Sequence, residues 1–267
     1  MDFKKVIIMT DLDGTLLNDE KKVSEKDLKS IERFRADGGK FTVATGRGVA
    51  MAKNVVDMLK IDMPCVIFNG AAVYDFDADK FLWCSSMPPC AAEYIRILQK
   101  EFPDIGIEIL HAEKVYVTNN NQTVEEHMAL ESITPVFCTL EEAPKDGWLK
   151  VLIAYPPEKI HRIIDFTRKN CGTGVNWVHS SPMYYEMLPE GISKGYGYKK
   201  LLEITGKADF FTVASGDFGN DYDMVRAADL GVAVANAQDE IKKAAKLIVC
   251  DNNSSPMSEI IKYIREL

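Results

Sequence analysis

Short apolar runs rich in β-branched residues recur near both ends of the chain, and a helical pattern follows almost every one of them. Residues 6–9, 41–44 and 65–68 form such runs in the first third. Runs of this kind suit strands that are buried on both faces, as in a parallel sheet. The alternation of strand and helix therefore predicts an α/β fold with right-handed crossovers.

The middle of the chain has a different rhythm, with neighbouring strands that no helix separates. The predicted elements are a helix over 90–102, strands over 105–110 and 114–118, a helix over 123–132, a strand over 148–154, a helix over 157–169, and strands over 175–179 and 183–188. Adjacent strands favour antiparallel pairs, so this segment reads as an α+β module. The strand–helix alternation returns after Pro189. One α/β core interrupted by an inserted module accounts for all three parts.

Charge and composition limit the partners that such a chain can have. It has 267 residues and a formal net charge of -8, which disfavours nucleic acid and anionic lipid as partners. No apolar run approaches the roughly 20 residues of a membrane span. The six cysteines include no CxxC pair. We expect reduced thiols in a cytoplasmic protein, either a monomer or a small homo-oligomer.

Two carboxylates follow the first predicted strand, in the segment DLDGT at residues 11–15. In open α/β sheets, ligands bind at the carboxyl ends of the strands. A carboxylate such as Asp11 can attack phosphorus there, and a second one such as Asp13 can protonate the leaving oxygen and then activate water. Taken alone, an Asx turn also accounts for this pair.

Two further segments suit an anion. Thr45, Gly46 and Arg47 follow the second strand and combine a hydroxyl with backbone N–H groups at a helix N-terminus. Lys194 opens a helix, where its charge opposes the helix dipole, so an anionic partner is expected. A threonine N-cap and an exposed lysine are the plain alternatives.

The segment GDFGND at residues 216–221 brings two more carboxylates, Asp217 and Asp221, to the same edge of the sheet. Mg²⁺ prefers oxygen ligands in octahedral geometry. Asp11, Asp217 and a backbone carbonyl of the first loop can supply some of them. Helix N-capping by Asp217 or Asn220 is the alternative.

In this order, the acid pair, hydroxyl, lysine and second acid pair resemble the four motifs of the haloacid dehalogenase superfamily, DxDGT, T/S, K and GDxxND. The resemblance covers essentially the whole chain. Asn69-Gly70-Ala71 and the segment 231–237 are similar to elements of its Cof-type branch, subfamily IIB. The resemblance implies a Rossmann-like parallel-sheet core over 1–82 and 189–267. Between them it places an inserted α+β cap domain of the C2 type, over 83–188.

The resemblance also implies a function, that of a Mg²⁺-dependent phosphatase acting on small phosphorylated metabolites such as sugar phosphates. Asp11 would be the nucleophile that forms an aspartyl-phosphate, and Asp13 the general acid and then the base. Thr45 would bind the phosphoryl oxygens, and Lys194 would neutralise charge. The implied phosphate- or substrate-binding residues are Gly46, Arg47, Asn69 and Asn220. The implied metal-site residues are Asp11, Asp13, Asp217 and Asp221.

The chain departs from the family pattern in two loops that border the predicted pocket. Phe218 replaces a residue that is more often small, and residues 252–256 lack the usual acidic-Gly pair. Both departures concern the choice of substrate. A phosphomutase or phosphotransferase and a non-catalytic phospholigand sensor are the alternative functions.

Residues of the cap are expected to set specificity, and the chain is expected to hinge near 80–85 and 187–191. The candidates, chosen by their chemistry, are His111, Lys114, His179, Tyr184 and the core residue Arg47. Two other motifs are rejected. The segment 191–195 fits a nucleophile elbow, but all four histidines precede Ser193. The segment 75–79 imitates an EF-hand and is predicted to be a hairpin turn.

Overall fold

The computed structural model describes residues 3–112, 114–131 and 133–267. Its strands, numbered in chain order, are β1 Val6–Thr10, β2 Lys40–Val43, β3 Cys65–Ile67, β4 Ala72–Asp75, β5 Lys80–Cys84, β6 Gly106–His111, β7 Val115–Asn119, β8 Val136–Phe137, β9 Trp148–Ala154, β10 Val175–Ser181, β11 Tyr184–Pro189, β12 Phe211–Gly216, β13 Leu230–Val234 and β14 Leu247–Val249. Its helices are α1 Glu25–Ala36, α2 Val49–Leu59, α3 Cys90–Glu101, α4 Gln122–Leu130, α5 Ile160–Asn170, α6 Lys194–Ile204, α7 Tyr222–Ala227, α8 Asp239–Ala244 and α9 Pro256–Glu266.

The core is a parallel five-stranded sheet in the order β14-β13-β12-β1-β2. All five residues of β1 are buried, as its β-branched sequence predicts for a central strand. Thr10, the last residue of β1, pairs with Ser215 on one side and Val43 on the other. The loops that begin after these residues therefore leave the sheet at one edge.

The strand predicted over 65–68 differs from the expectation of a third parallel core strand. It forms β3, which pairs antiparallel with β4, and β4 pairs antiparallel with β5. A single parallel bridge, Ala44 with Val66, joins this small sheet to the end of β2. The turn between β4 and β5 is the predicted hairpin, in which Asp75 Oδ1 accepts backbone N–H groups of residues 77 and 78.

The inserted module is a six-stranded sheet in the order β10-β11-β9-β6-β7-β8. Its pairs are antiparallel except for β7 with β8, and the sequence did not indicate the two-residue strand β8. The helix predicted over 123–132 is α4, which ends at Leu130, and residue 132 lies outside the described residues. The prediction of a parallel-sheet core with an additional sheet domain is confirmed.

The two faces of the inserted sheet differ in chemistry. One face packs against α3 and α5 and forms an apolar cluster that includes Ile107, Val151 and Met187. Because side chains alternate along a strand, Glu108, Lys150 and Glu186 point to the other face. The sheet therefore turns an ionic face toward the core.

The chain passes from β5 to α3 after Cys84, and from β11 to α6 after Pro189. The domain boundaries at 82/83 and 188/189, and the two hinges, stay predictions. All six cysteines are unpaired. Among the described residues, every helix is too short or too polar to cross a membrane.

Candidate active site

The loop after β1 places Asp11 at the edge of the core sheet. Its backbone N–H donates to Ser215 O at 3.0 Å, which ties the loop to β12. Gly14 follows with φ of +79°, and a Cβ there would lie 2.6 Å from Asp217 Oδ2. The glycine is therefore needed both for the left-handed turn and for the close approach of the two loops.

Lys194 connects the acidic residues of both loops. Its Nζ lies 2.5 Å from Asp11 Oδ1 and 2.7 Å from Asp221 Oδ1, and its side chain is only 1% exposed. Burial opposes the charged form, but the two carboxylates outweigh it and raise the pKa of Lys194 above its usual value. Lys194 is therefore a fixed ammonium ion and not the exposed lysine of the plain alternative.

Asp11, Asp217 and Asp221 form an acidic cluster, with one carboxylate oxygen from each lying within 4.8 Å of the others. Burial, opposed by Lys194, raises the pKa of Asp11 well above its ordinary value. Burial and the nearby Asp221 raise the pKa of Asp217 to about 7. A cluster that resists ionisation in this way fits a divalent cation, which would favour the charged carboxylates.

The free oxygens of the cluster show where a cation fits. Asp217 Oδ1 accepts from Thr15 Oγ1 at 2.7 Å, and Asp11 uses Oδ1 for Lys194. The second oxygen of Asp221 accepts the backbone N–H groups of Asp217 and Phe218, at 2.9 and 3.2 Å. Asp11 and Asp217 thus each keep an oxygen for a ligand, while Asp221 holds the lysine and the loop in place.

The carboxylate of Asp13 lies apart from this cluster, because two cations hold it. Arg47 binds both of its oxygens, at 2.8 and 2.9 Å, and Lys21 Nζ lies 2.7 Å from Oδ1. Although burial opposes ionisation, these contacts keep the pKa of Asp13 well below its usual range. The side chain of Asp13 faces the cavity in contact with these two cations, and its place among the metal-site residues stays a prediction.

The other predicted phosphate-binding residues converge beside Asp11. Thr45 is buried, and its Oγ1 accepts from Arg47 N at 3.1 Å. Asn220 Nδ2 donates to Asn69 Oδ1 at 3.1 Å, so the loops after β3 and β12 meet. Asn220 Oδ1 is buried without a hydrogen-bond partner among the described residues. The carbonyl of Gly46 accepts from Lys150 Nζ of the inserted sheet at 2.8 Å.

These residues surround a cavity of about 300 Å³ between the core and the inserted sheet. The predicted residues that line it are Asp11, Asp13, Thr45, Gly46, Arg47, Asn69, Asp217, Asn220 and Tyr184. Lys194 and Asp221 lie behind Asp11. His111 and Lys114 instead line a separate cavity beside the start of α2, and His179 lines another beside β10.

Several residues of the cavity were not singled out from the sequence. They are Lys21, His127, Glu131, Lys150, Ser180 and Glu186. A usable signal existed for Lys150, the only charged residue in the otherwise apolar strand β9. Glu186 gave a similar signal in β11. The remaining residues lie in loops, on α4 or, for Ser180, near the end of β10, where sequence spacing does not show which side faces the core.

Comparisons with known proteins agree with this geometry. The family model of haloacid dehalogenase-like hydrolases matches residues 8–261. The putative phosphatase YxeH of Bacillus subtilis (strain 168) is 29% identical over 96% of each chain. The pyridoxal phosphate phosphatase YbhA of Escherichia coli (strain K12) is 25% identical over 96% of this chain and 97% of its own.

Solved structures resemble the whole chain as well. A haloacid dehalogenase-like hydrolase from Bacteroides thetaiotaomicron has a TM-score of 0.83 at 23% identity, covering 97% of this chain and 98% of that one. The subclass IIB sugar phosphatase BT4131 has a TM-score of 0.85 at 20% identity, covering 98% and 99%. At these identities the structures establish the shared fold.

Proposed function

Because this chain belongs to the haloacid dehalogenase-like hydrolases and is an enzyme of their phosphatase type, we propose that it hydrolyses phosphate monoesters of small, sugar-like metabolites. The resemblance to the Cof-type branch, subfamily IIB, is confirmed. The observation that carries the proposal is the convergence of Asp11, Asp217 and Asp221 with the buried ammonium of Lys194.

In the proposed reaction, one carboxylate oxygen of Asp11 attacks phosphorus while the other is left for the metal, and the bond from phosphorus to the ester oxygen breaks. Asp13 gives a proton to the departing alcohol. It then takes a proton from the water that attacks the aspartyl-phosphate, which releases phosphate and restores Asp11. Lys194 offsets the charge of Asp11 from behind, and the hydroxyl of Thr45 faces the charge that gathers on the phosphoryl oxygens.

We propose that Asp11 and Asp217, with a backbone carbonyl of the first loop, hold Mg²⁺, and that Asp221 orients them. The carboxylate donor set suits this hard cation. When bound, it supplies positive charge that neutralises phosphoryl oxygens. The contacts with Arg47 and Lys21 lower the pKa of Asp13 and favour its ionised form, the form that takes a proton from water.

The substrate class, the cellular location and the oligomeric state are also proposed. The net charge of -8 supports small molecules as substrates in place of nucleic acid. The relative YbhA is named for pyridoxal phosphate, a small phosphorylated compound. We propose a cytoplasmic enzyme that is a monomer or a small homo-oligomer.

The test is hydrolysis of p-nitrophenyl phosphate with Mg²⁺, measured as both p-nitrophenol and free phosphate. Wild-type protein should release the two products in equal amounts, and Asp11→Asn should release neither. Activity that survives Asp11→Asn would refute the role of Asp11. Less phosphate than p-nitrophenol in the presence of a polyol would instead indicate transfer to an acceptor.

A further inference from the structure

The face of the inserted sheet that covers the cavity carries charged side chains in adjacent strands. Glu108 on β6 and Glu186 on β11 both pair in register with Leu152 of β9, and Lys150 lies two residues before Leu152. The three charged residues are at most 3% exposed. Together with His127 of α4, they form a polar roof over the phosphoryl site.

Glu108 holds one edge of the His127 ring. Its two carboxylate oxygens lie 2.8 and 3.0 Å from His127 Nδ1. Tyr184 packs against the same ring, with the centroids 5.1 Å apart. Because Nδ1 is engaged by a carboxylate, it carries a proton, and Nε2 is the nitrogen left for a ligand. Nε2 has no hydrogen-bond partner among the described residues, and His127 lines the cavity.

Lys150 is fixed in a similar way by Glu186. Its Nζ lies 2.9 Å from Glu186 Oε2 and donates to Gly46 O at 2.8 Å. An ammonium group has three donors, so one remains for the cavity. Glu186 is itself anchored by Ser180 Oγ at 2.5 Å and Asn69 Nδ2 at 2.6 Å. The roof thus contacts two of the core loops that border the phosphoryl site.

Buried pairs of this kind are weak evidence of a role in folding stability. Apolar residues of similar volume in place of a buried ion pair often leave stability unchanged or raise it. Each pair also places one spare polar atom at the cavity that holds Asp11. Pairing of this kind, in which a carboxylate orients a base, is how proteins preorganise groups that bind ligands.

The chemistry of the spare atoms indicates what they bind. Lys150 offers a donor, His127 offers a nitrogen that can accept or donate, and Ser180, whose O–H already donates to Glu186, offers an acceptor. The lining cations Lys21, Arg47 and Lys150 are already paired with carboxylates. A second anionic group on the substrate would therefore find no unpaired lining cation among the described residues. Neutral hydroxyl groups, which both donate and accept, match the roof best.

We propose that His127, positioned by Glu108, and Lys150, positioned by Glu186, form a subsite that binds hydroxyl groups of the leaving alcohol and selects phosphate esters of neutral polyols. The proposal rests on the proposed phosphatase function and adds its specificity residues. His127 and Lys150 contact the substrate, whereas Glu108 and Glu186 are positioning residues.

The experiment compares three substrates on the same enzyme preparation. Sorbitol 6-phosphate and hexyl phosphate have the same number of carbons and differ in the hydroxyl groups. p-Nitrophenyl phosphate reports on the core chemistry, because it has no hydroxyl for the roof. Wild-type kcat/KM should be at least about tenfold higher for sorbitol 6-phosphate than for hexyl phosphate, since each matched hydrogen bond contributes on that order.

Two variants of His127 separate binding from folding. The amide nitrogen of asparagine is as many bonds from Cα as Nδ1 of histidine, so His127→Asn keeps the contact with Glu108 and removes Nε2. Glutamine places its amide nitrogen as far from Cα as Nε2. His127→Asn should raise KM for sorbitol 6-phosphate about tenfold, with little change for hexyl phosphate. His127→Gln should recover part of the loss.

The outcomes distinguish the subsite from the activity that it serves. Wild-type turnover of p-nitrophenyl phosphate without preference for sorbitol 6-phosphate would overturn the subsite alone. Equal KM values of wild type and His127→Asn for sorbitol 6-phosphate would do the same. Loss of all three activities in wild-type protein would overturn the phosphatase function. If His127→Asn loses turnover of p-nitrophenyl phosphate, the comparison is made with His127→Gln instead. Loss of that turnover in His127→Gln as well would overturn the subsite.

Discussion

The acidic residues of the core and those of the roof are arranged in different ways. In the core, Asp11, Asp217 and Asp221 crowd around a single lysine. In the roof, Glu108 and Glu186 each have a base of their own, His127 and Lys150. The core therefore has three carboxylates for one cation, whereas each carboxylate of the roof has one base beside it.

This difference separates two tasks within one cavity. An excess of buried carboxylates is unfavourable until a cation joins it, so the core is suited to a metal and to phosphate charge. In the roof each carboxylate holds one base in place, so the roof is suited to hydrogen bonds with neutral groups of a substrate. Changes in the core should then affect all substrates, and changes in the roof only some.

The largest effect is expected at Asp11. Asp11→Asn keeps the size of the side chain but removes the nucleophilic oxygen, and turnover of every phosphate ester should fall by at least about a thousandfold. Free-phosphate release measures it. We expect a similar loss of turnover for all esters, as for any residue of the core. A loss confined to polyol phosphates would contradict the distinction between core and roof.

Lys194→Met should destabilise the fold as well as abolish activity. It leaves the carboxylates of Asp11 and Asp221 buried without their cation, which costs about 3 kcal/mol. Urea unfolding without metal measures this. Lys200→Met, on the same helix with an ion pair to Glu203 at the surface, is the control and should change little. Equal stability of both variants would contradict the buried ion cluster.

The binding of Mg²⁺ should weaken as the pH falls. The pKa of Asp217 is raised to about 7, so the carboxyl is protonated below that pH and ionised above it. A cation needs the ionised form, and apparent affinity should therefore drop about tenfold from pH 8 to pH 6. Calorimetric titration at the two values checks it. Tighter binding of Mg²⁺ at pH 6 than at pH 8 would contradict the raised pKa of Asp217.

A small effect is expected where the cap touches Arg47. Glu131 Oε2 lies 3.0 Å from Arg47 Nη1, but Asp13 already holds the guanidinium through two hydrogen bonds. Glu131→Gln keeps an oxygen that can accept from Nη1, so it should change kcat/KM for p-nitrophenyl phosphate by less than about threefold. Glu125→Gln, at an exposed position of α4, the helix that ends just before Glu131, is the control. A loss of a hundredfold would mean that Glu131 belongs with the core machinery.

The sequence was informative wherever chain order and strand ends determine position. Asp11, Thr45 and Asp217 each follow a buried strand of one parallel sheet, and such strands end at a common edge, so their meeting could be anticipated. The antiparallel pairing of β3 with β4 could not be anticipated, because the apolar run of β3 suits a parallel or an antiparallel strand.

The position of the roof over the site could not be predicted, because its contacts with the core loops form only where the inserted sheet packs on the core. The contacts of Lys150 with Gly46 O and of Glu186 with Asn69 join residues more than a hundred positions apart. The alternation of side chains along a strand tells which residues share a face, but not which face covers the core. His111 and Lys114 were chosen by chemistry alone, and they lie at another cavity.

The most direct test of the account is the titration of wild-type protein and Asp217→Asn with Mg²⁺ at pH 8. If residues distant in sequence jointly hold one ion, wild type binds a single Mg²⁺ per chain, and the variant binds it at least about tenfold more weakly. Identical stoichiometry and affinity in the two proteins would mean that Asp217 and Asp11 do not share a cation, and the assignment of the core would fail.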